Sequence, residues 1–149
     1  MKPKTIWLLV ADGQRAQIYR YFGATRQAEA EADLAFARDG APSRAIRTDK
    51  AGRMQPSAGS GGAAFSPRAD AHDQEEERFL DKVATSVNAA IDAGRCDEII
   101  LAAPPRALGH LRRVIPPMML KRIKAEIDKD FTKTEIAKLG ALVAEHLQG

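Results

Sequence analysis

The stretch "TIWLLVADGQRAQIYRYF", residues 5 to 22, decides the fold. Thr5 to Ala11 is a continuous apolar run of strand formers, which fits a central strand buried on both faces. Asp12-Gly13 supplies a tight turn after it. "AQIYRYF" follows, with Ile18 and Phe22 bracketing Tyr19 and Tyr21, and reads as a second strand antiparallel to the first.

Working outward, "EADLAFARD" offers a third strand through Leu34 and Phe36, although its alanines make helix a competitor. From about residue 38 to 70 no periodic pattern appears. Gly40, Pro42, Gly52, Pro56, Gly59, Gly61, Gly62 and Pro67 punctuate a long loop, of the kind that is functional or mobile. Leu80, Val83, Ala84, Val87 and Ile91 then recur at helical spacing, predicting a helix from about Asp73 to Ala93 that Gly94 stops. Glu75, Glu76 and Glu77 would complement the positive end of its dipole.

"DEIILAAPP" reads as a buried strand, Glu98 to Ala102, ended by Pro104-Pro105. A helix from about Arg106 to Val114, a short helical piece at Met118 to Leu120, and an edge-like strand through Ile123 and Ile127 come next. Thr132 to Glu135 has the form of a capping box opening a last helix with Ile136, Leu139, Leu142, Val143 and Leu147 on one face. The expectation is an α/β single domain over residues 1–149. Its mixed sheet has about five strands, an antiparallel meander and then parallel β-α units, with three main helices: a ribonuclease H-like layout.

Composition narrows the classes. Apolar residues make up 44% and charged residues 29% of 149, as in one globular domain with a real core. The excess of 23 Lys+Arg over 20 Asp+Glu is too small to indicate nucleic acid by itself. "AHDQEEERFLD" gathers acid while "RALGHLRR" and "KRIKAEIDK" gather base, so a bipolar surface is expected. The lone Cys96 cannot form an internal disulfide, and no leader or membrane-length apolar run is present, so a cytoplasmic protein without a membrane partner is expected.

Sites of catalysis are sparse. His72 with Asp73 and Glu76 lacks a second ligand cluster. Asp12 and Glu98 fall at opposite ends of parallel strands, roughly 16 Å apart, too far to share a metal. Asp128 and Asp130 could approach Asp12, but turn geometry explains the one and solvent exposure the others. His110 and His146 read as surface histidines on helices, and "GSGGAAF" lacks the Gly-Lys-Ser/Thr ending of a phosphate-binding loop. Arg106, His110 and Arg113 fall at i, i+4 and i+7, opposite Leu108, Leu111 and Ile115, which predicts one positive helix face. Phosphate binding and solubility both account for such a face.

"IWLLVADGQRAQIYRY", "DKAGRM", "EEERFLDKVA", "IILAAPPRALGHLRR" and "EIDKDFTK" occur in order over nearly the whole length. On these segments the chain resembles the bacterial host attachment protein family. That family is similar in turn to the middle domain of archaeal and eukaryotic class I peptide-chain release factors. The resemblance implies a ribonuclease H-like α/β fold. It also implies a meaning for the glycine loop, because release factors carry a Gly-Gly-Gln loop before their long helix that helps water attack peptidyl-tRNA. Here Gly59, Ser60, Gly61, Gly62 and Ala63 take that place, with Ala63 where glutamine would stand.

The expectation is therefore a non-enzymatic module without cofactor or metal that binds the ribosome, tRNA or another RNA. Its candidate contacts are the Gly59 to Ala63 loop, Arg53, Arg68 and the Arg106/His110/Arg113 face. The alternative is an attachment-associated protein acting through protein partners. A peptidyl-tRNA or metal-dependent hydrolase ranks third.

Overall fold

A strand that is apolar on both faces must sit inside a sheet covered on both sides, and the first strand does. The computed structural model describes residues 4–38 and 66–148, the side chains of 66–70 excepted. β1 (Ile6–Ala11) pairs antiparallel with β2 (Arg15–Phe22), which pairs antiparallel with β3 (Gln27–Ala37). On its other side β1 pairs in parallel with β4 (Glu98–Ala102), and β4 in parallel with β5 (Ile123–Ile127). The five-stranded order is β3-β2-β1-β4-β5.

Alternation along β1 divides its side chains between two cores. Trp7, Leu9 and Ala11 join one core with α1 (Ser66–Asp92), α2 (Pro105–Val114) and the short α3 (Pro117–Leu120). Leu8 and Val10 join the other, which α4 (Ile136–Gln148) covers with Leu139 and Val143. The mixed α/β layout is thus the one expected from the sequence.

Three local expectations are corrected. α1 begins at Ser66 rather than near Asp73, so residues 66–70 are helical and not loop. Its first turn carries no acid, and Glu75 to Glu77 lie more than two turns inside the helix, where the dipole does not explain them. Thr132 does not cap α4: its hydroxyl donates to Asp130 and, at 3.3 Å, to Asp12 Oδ2, while α4 starts at Ile136.

β3 resolves in favour of strand because β2 offers it a ladder over most of its length. The ladder is interrupted, since Gln17 faces Ala35 while Tyr19 faces Ala30, leaving extra residues on β3. The Gln17 side-chain amide fills the gap, donating to the carbonyls of Ile18 at 2.8 Å and Glu31 at 3.0 Å. The bulge turns Glu31 toward the Trp7 indole, which donates to it at 3.1 Å, and Asp33 toward Arg95 at 2.8 Å. Arg95 also lies over the Trp7 ring, 5.3 Å from its centroid, and so ties the end of α1 to the sheet.

α4 is held against the β2–β3 turn through Gly140. A Cβ there would stand 2.2 Å from the carbonyl oxygen of Arg26 and 2.8 Å from Gln27 Cα, both backbone atoms that cannot swing aside. Gly140→Ala should therefore destabilise the fold by roughly 2–3 kcal/mol despite its better helix propensity, measured as a lowered urea midpoint. An unchanged midpoint would show that α4 shifts freely over the turn.

Candidate functional site

At the carboxyl ends of β1 and β4 the chain leaves the sheet twice. Asp12-Gly13 turns it back into β2, and Ala103-Pro104 leads it into α2, whose Pro105 loses nothing by lacking an N–H in the first turn. α1 passes beside both. Between them opens a cleft of about 480 Å³ lined by Asp12, Asp73, Glu76, Glu77, Arg106 and Arg113 among others. Its place outside the carboxyl ends of parallel strands is where open α/β sheets take ligands.

α1 and α2 each lead into a parallel strand across the same face, so they run side by side in one direction. Asp73, Glu77 and Asp81 recur every four residues on α1, and Arg106, His110 and Arg113 answer them on α2. Arg106 pairs with Asp73 at 2.7 Å. His110 Nε2 lies 2.8 Å from Asp81 Oδ1, its Nδ1 4.0 Å from Glu77 and 3.4 Å from Arg113 Nη2. A guanidinium only donates, which makes Nδ1 the acceptor and Nε2–H the donor to Asp81.

The predicted positive face is thus largely answered from within the molecule. His110 is no surface histidine: only 9% exposed, it is the one buried polar residue among those described. His146, by contrast, is exposed as expected, its ring beside Phe131. Of the acid run that lacked a dipole to complement, Glu77 faces His110 of α2, whereas Glu75 pairs with Arg38 and Glu76 with His72. The signal was available as matched four-residue spacing in the two helices.

Of the other candidate residues, Arg53 and the Gly59 to Ala63 loop lie outside the described residues. Arg68 falls in the first turn of α1, with only its backbone described. Asp12 is spent on structure, its Oδ1 accepting from the Gln14 and Arg15 amides at 2.7 and 2.8 Å and its Oδ2 from Thr132. The Glu76 side chain lies over Gly13 and accepts from His72 at 3.1 Å. Asp12 and Glu98 are at opposite ends of the parallel pair, as expected, since Glu98 is level with Ile6. Among the described residues no group of three His, Cys, Asp or Glu is disposed to hold a metal ion. Cys96 is buried and its thiol is pushed up to about 12, mainly by burial, which leaves it unreactive.

The model of the family described as "protein required for attachment to host cells" matches residues 7–143, and the chain belongs to that family. The match begins at Trp7 in β1, covers the other four strands and reaches into α4. No curated protein matches the chain. No helix among the described residues is long and apolar enough to cross a membrane.

The two ends of the charge ladder should respond differently to truncation. His110→Ala removes a buried, doubly contacted ring and should lower stability by about 1–3 kcal/mol, whereas Arg106→Ala, at an exposed pair, should lower it by a few tenths of a kcal/mol at most. Equal effects would contradict this assignment. Acid provides a further check. The Arg106 hydrogen bond holds the Asp73 carboxyl below its ordinary 3.8, and Arg95 does the same for Asp33. A depressed folded value means stability present above the unfolded carboxylate value and lost as pH falls through the folded one. Asp73→Asn should therefore lose less stability than wild type between about pH 6 and pH 3, measured by denaturant titration, and a parallel loss would show the pair inert.

Proposed function

From membership of a family required for attachment to host cells, we propose that this protein is a binding module, and that the α1–α2 cleft receives a basic segment of a protein partner on which attachment depends. The observation that supports this reading is the balance of charge. Among the described residues, four carboxylates, Asp12, Asp73, Glu76 and Glu77, line the cleft against two guanidiniums, Arg106 and Arg113. Arg106 is already engaged by Asp73, and among the carboxylates Glu77, 42% exposed, is more open than Asp73 or Glu76. A phosphate backbone entering this cleft would meet net repulsion.

The Asp81–His110 pair invites comparison with a catalytic dyad, but a dyad needs a nucleophile to activate. No serine, threonine or cysteine lines the cleft among the described residues. His110 here orients Arg113 and joins the two helices, which suits a preformed binding surface better than a reaction centre.

Adherence of a producing strain to host cells tests the reading. A chromosomal Glu76→Gln/Glu77→Lys variant should reduce adherence to the level of a deletion strain while the purified protein keeps its melting temperature. Wild-type adherence in that variant would overturn the cleft as the site. Cosedimentation with ribosomes in low and high salt supplies the competing outcome. Salt-sensitive comigration that the double variant retains would replace this reading with a ribosome-binding one located elsewhere.

A further inference from the structure

α1 carries opposite charges on its two flanks. On the side away from the acidic cleft, a second concavity of about 550 Å³ opens between the end of β3 and α1. Its floor is apolar, with Phe36 from β3 and Phe79 and Val83 from α1. Arg38, Arg78 and Lys82 stand around it. Arg78 and Lys82 are exposed and one helical turn apart, as are Phe79 and Val83 beneath them.

Arg38 is fixed in place. Its backbone N–H donates to the Gln14 carbonyl at 2.8 Å, and its Nη1 to Glu75 Oε1 at 2.7 Å. Its Nε is buried and has no hydrogen-bond partner among the described residues. A buried donor left unpaired is costly and calls for an acceptor. Arg78 and Lys82 make no ion pair with any described residue. Among the described lining residues, three cations against the single carboxylate of Glu75 leave a surplus of two positive charges over an apolar floor.

We propose that this concavity binds a phosphate monoester carrying an aromatic or acyl body. A phosphate monoester bears close to two negative charges at neutral pH, which matches the surplus, and offers acceptor oxygens to a guanidinium fork. Phe36, Phe79 and Val83 cover the attached body, and the volume falls within the range of about 300–1,000 Å³ typical of small-molecule sites. The ester has two natural sources, a nucleotide or a lysophospholipid, and both present the same headgroup. This site is independent of the α1–α2 cleft, so either assignment can fail alone.

Isothermal titration of the full chain with adenosine monophosphate, with monomeric lysophosphatidic acid and with inorganic phosphate tests the proposal. At least one of the two esters should bind about tenfold or more tightly than inorganic phosphate, and the tighter one identifies the body the floor prefers. Arg78→Ala/Lys82→Ala, both exposed substitutions, should weaken that ester about tenfold or more with an unchanged melting temperature. The proposal is overturned if neither ester saturates in the millimolar range, if inorganic phosphate binds as tightly as both, or if the double variant keeps wild-type affinity.

Discussion

Everything in this structure follows from the requirement that β1 be covered on both faces. Trp7, Leu8 and Leu9 are all fully buried although neighbours along a strand point in opposite directions. A strand of that kind needs a partner on each edge and a layer on each side. β2 and β4 supply the edges, α1 and α2 one layer and α4 the other. The switch from antiparallel to parallel pairing at β1 places the Asp12 turn beside the exit of β4, and so creates the cleft. Trp7 shows how tightly this is enforced. A buried indole N–H must be satisfied, and the β3 bulge delivers Glu31 to it.

α1 mediates between the sheet and its periphery. Its 27 residues extend about 40 Å, and Leu80, Val83, Ala84 and Val87 give it a buried stripe. Apolar burial at roughly 25 cal/mol per Å² holds the helix down, whereas exposed ion pairs contribute little. Charge does other work here. Asp73, Glu77 and Asp81 set which turn of α1 lies beside which turn of α2, while Arg78 and Lys82 on the other flank remain without carboxylate partners among the described residues.

Burial on two faces is a local signal, which is why β1 and β4 were legible from sequence, β4 running Glu98–Ala102 as the apolar run in "DEIILAAPP" indicates. β2, buried only in part, was legible from the Asp12-Gly13 turn and the strand formers after it. The start of α1 was not, because its apolar stripe begins only at Phe79 and none of residues 71–78 is buried. β3 was half legible, since alanine carries no strand preference and the bulge breaks its alternation. The site was legible only in halves. Acid spacing in one helix and basic spacing in the other are both plain in the sequence, but that they face each other depends on β1, β4 and β5 being adjacent and parallel. Read alone, the basic half suggested a phosphate-binding face.

The same adjacency explains why the cleft persists instead of closing. Side chains long enough to fill it are drawn to its walls: Arg106 to Asp73, Arg113 to His110, and Glu76 back over Gly13. Gly109, on α2 within the cleft, contributes no side chain, and a Cβ there would meet none of the described residues within 4 Å. A glycine inside a helix costs about 1 kcal/mol relative to alanine, and at Gly109 no close approach of a described residue offsets that cost. The opening at Gly109 is therefore set by the missing side chain and not by packing against a described neighbour.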